Sequence, residues 1–466
     1  MTPSSVEWEV LDGLVGGEVI LPGSAEYDTA RKPAMARFHE VRPAAIVRCE
    51  RPADASAAIG LARRRGLPVS IRCGGHSVAG RSSGEGIVID VTPMRCVSAG
   101  DGSATVGAGA RLGDLYDALY AHGVTVPAGC GPSVGIAGLT LGGGIGVLGR
   151  KYGLTCDRLR RAQVVLANGN VVECDADHHP DLFWALRGAG GGNFGVVTSF
   201  VFDTVTAPET TAFHLRWSTN QAVALIESWQ AWAPVAAEEV DATLRLASDS
   251  RGASAGVELF GAVLASEAEA REHLGGFTSE AGQRPRSASF RPLSYPEAKR
   301  YLNELDQHDE QSSDDSGSRG HLFAKSEFFR RRLDRATIEA LVRNLAREIH
   351  GARSREIAFM PWGAAYNRVA PDATAFPHRQ ELFLVQHLLE LEPQASESDR
   401  ADGHSWLTRS WELLHPSGSG GVYPNFPDPE LTNSGRAYYG ENYARLRRVK
   451  ADYDPDNIFR FHQSLS

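Results

Sequence analysis

Residues 72–77 read Arg-Cys-Gly-Gly-His-Ser and follow the strand-like run PVSIRC. Adjacent glycines let backbone N–H groups approach an anion closely and reach the positive φ that turns successive N–H groups into an anion nest. Around Gly74 and Gly75, Arg72 adds charge, Ser77 a hydroxyl, Cys73 a thiol and His76 an imidazole, a nucleophile when neutral. For this loop alone, a tight turn at a strand end is an equal reading. Two further glycine tracts tip the balance towards a flat, phosphate-bearing ligand. Residues 135–146 (GIAGLTLGGGIG) include Gly135, Gly138, Gly142 and Gly146, and residues 188–195 read GAGGGNFG. A Gly-x-Gly-x-x-Gly occurs at residues 144–149, but RKYGLTCD follows it and reads poorly as a helix, which disfavours a nicotinamide-dinucleotide site. No Walker A sequence is present.

Short elements must hold these loops. Strand-like runs AAIVRCE, PVSIRC, GIVIDV, AQVVLANG and GVVTSFVFDTV alternate with helical spacing over residues 53–66 and 110–123, so the first half reads as α+β. After Ala207 glycine thins and longer amphipathic helices alternate with strand-like runs such as DATLRLASD and ELFLVQHLLEL. The expected division is 1–207, 208–414 and a tail 415–466 that returns to the first part. A helix is expected over residues 439–453, and a mobile surface loop over the polar residues 307–320.

The chain has 466 residues and a net charge of −9, with no basic stripe interleaved with aromatics, so nucleic acid is a poor partner. No signal peptide or membrane span is expected, which makes the cytoplasm the default location. The six cysteines show no CxxC or zinc-ligand spacing, so reduced thiols and no metal site are expected.

Four stretches resemble the berberine-bridge-enzyme-like flavin oxidases of the vanillyl-alcohol-oxidase/p-cresol-methylhydroxylase fold group. They are RCGGHS (72–77), VGIAGLTLGGGIG (134–146), DLFWALRGAGGGNFGVVT (181–198) and YYGENYARLRRVKADYDPDNIF (438–459). The resemblance spans nearly the whole chain. It implies an α+β, two-domain flavoprotein. A p-cresol-methylhydroxylase-type FAD domain is built from the first part and the tail, and the substrate domain carries an antiparallel sheet covered by helices. It also implies FAD bonded through its 8α-methyl carbon to His76. Many relatives carry a second link from a cysteine to flavin C6. Here Cys130 stands one residue early relative to the usual Cys-Pro-x-Val-Gly, so a bonded cysteine and a structural thiol are both open.

Val134 falls at the family's oxygen-gating position, and Val197 lies in the third matching stretch. The relatives' Tyr-x-Asn-Tyr becomes Tyr423-Pro424-Asn425-Phe426, which removes one phenol. Tyr423 is then the candidate for substrate positioning or base, Asn425 for a contact at the flavin edge, and Gln386 for substrate orientation. Alternation along ELFLVQHLLEL puts Leu384, Gln386 and Leu388 on one face and His387 on the other. The implied reaction oxidises C–OH or C–N to C=O on a secondary metabolite or sugar, with hydride passing to flavin N5 and O2 reduced to H2O2. A dehydrogenase or oxidative cyclase, and a flavin-binding protein without turnover, are the alternatives.

Overall fold

The computed structural model describes residues 5–305 and 320–466. Of the loop expected over residues 307–320, residues 307–319 lie outside them. The glycine-rich half is built on two small sheets. The first has the order Glu18–Ile20, Ala45–Arg48, Ile87–Asp90, Val69–Arg72, with its last three strands parallel. The second is a five-stranded antiparallel sheet whose centre is Gly195–Asp203, flanked by Ser103–Gly107 and Leu159–Leu166.

The helix Pro52–Arg65 links Ala45–Arg48 to Val69–Arg72. Proline opens it and Gly66, at φ 64°, closes it in the left-handed region. Its buried Asp54 accepts from the backbone N–H groups of Gly16, Glu50 and Arg51. That set of donors holds its carboxyl below the usual range against the effect of burial.

The second half is a seven-stranded antiparallel sheet: Ser287–Leu293, Thr210–Trp217, Ser254–Val263, Val240–Ser248, Ala352–Pro361, Phe383–Leu391, His321–Phe329. The helices Ala222–Trp232, Arg335–Leu345 and Glu397–Leu414 contribute to the core that covers one face. On Phe383–Leu391, Val385 and Leu389 join that core, and His387 is bonded to Ser410 of the last helix at 2.9 Å. Leu384, Gln386 and Leu388 point the other way. Both faces of the strand are buried, which is why it reads as a near-continuous apolar run.

The strand His321–Phe329 was not expected. Lys325 and Glu327 interrupt its apolar pattern, yet both are buried because Lys325 pairs with Asp428 and Glu430 of the tail, and Glu327 with His415. The tail itself differs from the single helix expected over 439–453. Gly440, at φ 49°, separates Ser434–Tyr439 from a 3-10 turn and the helix Tyr443–Tyr453.

One hydrophobic core gathers residues from Trp8 to Val205 together with Val422–Leu465 side chains, and another gathers Phe213 to Leu414. Phe260, Ala262, Tyr295 and Leu302 pack into the former from the large sheet and its adjoining helix.

Candidate active site

A cavity of about 820 Å³ lies between the glycine loops and the uncovered face of the large sheet. That is near the upper end of small-molecule sites. The strand Val69–Arg72 delivers the first loop. Gly75 turns it at φ 76°, and a Cβ there would stand 2.9 Å from the Ala34 nitrogen. A Cβ on Gly74 would stand 2.4 Å from the Gly135 nitrogen, so the first two loops meet backbone to backbone. Gly138 and Gly191 have the opposite surroundings. A Cβ on either meets nothing within 4 Å, and both line the cavity, so a side chain there would occupy ligand space.

Cys73, Gly74, Gly75, His76, Ser77, Cys130, Val134, Gly135, Gly138, Gly146, Val197, Gln386, Tyr423 and Asn425 all line this cavity. Arg72 does not. Its guanidinium donates to the carbonyls of Ala30, Arg31 and Ser82, so its charge holds the loop from behind. Gly142 is also set back. A Cβ there would lie 2.1 Å from Asn425 Oδ1, and its absence lets the amide pack against the second glycine tract. His76 Nε2 is 3.1 Å from Ser133 Oγ, which orients the ring. Cys73 donates to the Ala108 carbonyl, and burial pushes its thiol up to about 12, which makes it inert.

Asn425 Nδ2 donates to the Leu139 carbonyl at 2.9 Å and to the Tyr423 hydroxyl at 3.1 Å. The Gly144 N–H donates to the same hydroxyl at 3.1 Å. Burial pushes the Tyr423 phenol up to about 12 despite these donors. Its oxygen accepts while its proton remains available to a ligand. Phe426 packs edge-on against Tyr423, with centroids 4.9 Å apart.

Two groups of residues escaped the sequence reading. Arg81, Ser82 and Ser83 line the cavity just after the first loop, and Arg81 Nε, Ser82 Oγ and Ser83 Oγ are buried with no hydrogen-bond partner among the described residues. Orphaned buried polar atoms of this kind fit a phosphate-bearing group. The signal was present as the basic-hydroxyl run Arg-Ser-Ser ahead of Gly84. The second group is the polar row Asp241, Thr243 and Arg245 on one face of Val240–Ser248, joined by Glu356 on the neighbouring strand. Arg245 is held by Glu258 at 2.6 Å. Asp241 makes no hydrogen bond among the described residues, and burial raises its carboxyl to about 6 against the pull of Arg150 and Lys299. Only the period-2 alternation of DATLRLASD pointed to that row.

A parallel-sheet glycine loop, an oppositely placed antiparallel sheet and a long cavity between them define an FAD-linked oxidoreductase of the p-cresol-methylhydroxylase type. The FAD binding domain model matches residues 43–175, and the model for berberine and berberine-like proteins matches residues 422–466. The FAD-linked oxidoreductase YvdP of Bacillus subtilis, described as uncharacterized, is 34% identical over 96% of this chain and 98% of its own. The chitooligosaccharide oxidase of Gibberella zeae is 31% identical over 91% of this chain and 87% of its own. Among solved structures, wild-type BBE-like 1 of Physcomitrella patens superposes with a TM-score of 0.87 at 29% identity, covering 98% of this chain and 99% of the other. The structure of a chitooligosaccharide oxidase gives 0.85 at 27%, covering 99% of each. The chain belongs to the berberine-bridge-enzyme-like family of FAD-linked oxidoreductases. Among the described residues, no helix is long and apolar enough to cross a membrane.

Proposed function

We propose that this enzyme is an FAD-dependent oxidase that converts a C–OH group of a sugar or of a hydroxylated secondary metabolite to C=O. The observation that carries the reading is one cavity with two chemically different walls. One wall is the glycine loops with His76, Ser82 and Ser83, and the other is the polar row Asp241, Thr243, Arg245 and Gln386. The glycine loops with His76, Ser82 and Ser83 would hold FAD there, His76 as its tether, and the flavin would supply a hydride acceptor and a route for the electron pair to dioxygen. The likeness to a chitooligosaccharide oxidase supports a sugar hydroxyl, and so do a carboxylate, a hydroxyl, a guanidinium and an amide facing one pocket. The same reading takes 1–207 with 415–466 as the FAD-binding unit and 208–414 as the substrate unit. The two main cores support that division, with Phe260, Ala262, Tyr295 and Leu302 and the cluster around Tyr423, Trp362 and Phe376 packing across it.

In this reading the chain's own residues divide the work. Gln386 orients the substrate hydroxyl, since an amide cannot take its proton. Tyr423, protonated across the working range, donates a hydrogen bond. Asp241 takes the proton that leaves the hydroxyl: its carboxyl titrates at about 6 and makes no hydrogen bond that would have to break first. It compensates for the phenol lost at Phe426. Val134 lines the same cavity, and in this reading its small side chain leaves dioxygen access to the flavin.

The experiment is anaerobic mixing with a panel of oligosaccharides and hydroxylated aromatic or polyketide alcohols, following bleaching of the flavin band, then readmission of air with peroxide assay. A sugar that bleaches the flavin and yields peroxide supports the reading. Bleaching without peroxide makes the protein a dehydrogenase, and bleaching by no compound leaves a binding protein.

A further inference from the structure

Arg150 lies on the short helix Gly149–Tyr152, directly after the second glycine tract, and is fully buried. Its guanidinium reaches the large sheet. Nη1 donates to the carbonyls of Trp362 and, at 3.3 Å, Pro234, and Nη2 donates to the Ala236 carbonyl at 2.7 Å. Pro234 and Ala236 lead into the strand Val240–Ser248, and Trp362 follows its neighbour Ala352–Pro361. One side chain thus pins the entry of the Asp241 strand and the exit of the next strand to the glycine-loop side of the cavity. Every acceptor is a carbonyl. Among the described residues no carboxylate bonds this guanidinium, and its Nε has no partner. A guanidinium keeps its proton in proteins, and burying that charge without an anion is costly. Of the acidic groups that act on Arg150, Asp241 comes first, ahead of the Tyr366 phenol and Glu238. Two cations face Asp241 in turn, Arg150 and then Lys299 of the helix Tyr295–Leu305. The bonds of Lys299 go to the Ala128 and Gly129 carbonyls, away from the Asp241 strand. The Tyr366 phenol also faces Asp241; its hydroxyl donates to the Gly146 carbonyl at 3.3 Å, and burial raises it so that it stays neutral.

We propose that Arg150 is a positioning residue for the oxidation: it fixes the strand that carries Asp241 and is the buried counter-charge of the Asp241 carboxylate. The proposal rests on the proton-accepting role given to Asp241 above. While Asp241 is protonated, Arg150 has no anion beside it. Once Asp241 is ionised, the two charges balance within the wall, so the carboxylate is reached near neutral pH despite its burial. Without Arg150, only Lys299 opposes the desolvation of the carboxyl. Asp241 would then already hold a proton at neutral pH and could take none from a substrate.

The test uses FAD-loaded protein of the wild type, Arg150→Gln, Arg150→Met and Arg150→Lys, each with Asp241 and with Asp241→Asn. Melting temperature is followed by circular dichroism between about pH 4 and pH 9, and the quantity read is the gain produced by Asp241→Asn at each pH. In wild type this gain should grow with pH and level off at about pH 6. In Arg150→Gln and Arg150→Met the levelling should move up by about one pH unit or more, and in Arg150→Lys it should stay within about half a pH unit of wild type. A residue that only holds the fold together lowers every melting temperature and leaves the levelling where it was; that result in the neutral variants overturns the proposal. Neutral variants that fold only together with Asp241→Asn support it, since each charge is then tolerated only beside the other. Should they fold in neither background, Arg150→Lys carries the test: levelling as in wild type supports the counter-charge, and levelling about one pH unit or more higher overturns it. A wild type in which Asp241→Asn brings no pH-dependent gain overturns the role of Asp241 itself, whatever Arg150 does.

Discussion

Asn425 Nδ2 donates to the Tyr423 hydroxyl at 3.1 Å, two residues away on the same turn. With the Gly144 N–H on the same oxygen, the phenol is fixed from two sides. Burial holds it at about 12, so it stays a donor at every working pH. The difference ultraviolet titration of wild type against Tyr423→Phe should show no phenolate from this residue up to about pH 10. A phenolate band below that pH would make Tyr423 a base after all.

Asp241 has a folded-state value of about 6, above its ordinary 3.8. The folded protein therefore holds this proton more tightly than the unfolded chain. The cost of the ionised carboxylate is absent below about pH 4 and complete above about pH 6. Asp241→Asn should raise thermal stability at pH 7.5 by on the order of 1–3 kcal/mol and change it little at pH 4. Once a substrate is in hand, the rate of flavin reduction should rise through about pH 6 in wild type, and the variant should lack that limb.

Two buried histidines should make the protein acid-sensitive. Burial lowers both His378 and His387 to about 3 from an ordinary 6.5. Their neutral forms favour the folded state above about pH 6.5, and that contribution fades as pH falls towards 3. Each contributes a slope approaching about 1.4 kcal/mol per pH unit in that window. His387→Asn should flatten the fall in melting temperature between pH 6.5 and 4.5, measured by circular dichroism. An unchanged slope would mean that His387 is charged in the folded protein.

Arg379 is fully buried and binds Asp157 through two bonds, at 2.8 and 2.6 Å. The pair ties the segment between the strands Ala352–Pro361 and Phe383–Leu391 to the turn Thr155–Arg158 beside the second glycine tract. Arg379→Met strands the carboxylate and should cost about 3–5 kcal/mol. Arg379→Met combined with Asp157→Leu should recover much of that loss in a urea titration; no recovery would show that the guanidinium matters through its other bonds, to the Thr374 hydroxyl and the carbonyls of Tyr366 and Phe376.

The glycine loops separate folding from binding. At Gly142 an added methyl lands 2.1 Å from Asn425 Oδ1, whereas at Gly138 it meets nothing within 4 Å. Gly142→Ala should displace Asn425, release Tyr423 and lower the melting temperature. Gly138→Ala should fold normally and purify with less flavin, read as the ratio of visible to ultraviolet absorbance. Full flavin occupancy in Gly138→Ala would place the cofactor away from that segment.

Short-range physics made much of this protein legible from its residues alone. Glycine's missing Cβ marks the loops at 72–77, 135–146 and 188–195 wherever they end up in space, because conformational freedom is a property of the residue. Period-2 alternation placed Gln386 and His387 on opposite faces for the same local reason. The family resemblance extended that local reading to FAD and to His76. Other features are relations between distant parts of the chain, and only the tertiary structure decided them. The strand His321–Phe329 is hidden by Lys325 and Glu327, whose burial depends on carboxylates and an imidazole roughly a hundred residues on. Arg72 looked like a ligand contact until the carbonyls of Ala30, Arg31 and Ser82 took up its donors. Asp241 acquires its raised value from being desolvated in the cavity between the glycine loops and the large sheet, and Lys299 meets Cys130 from 169 positions away. A charge's surroundings, and so its chemistry, follow from packing that brings remote segments together, and no local pattern along the chain encodes them.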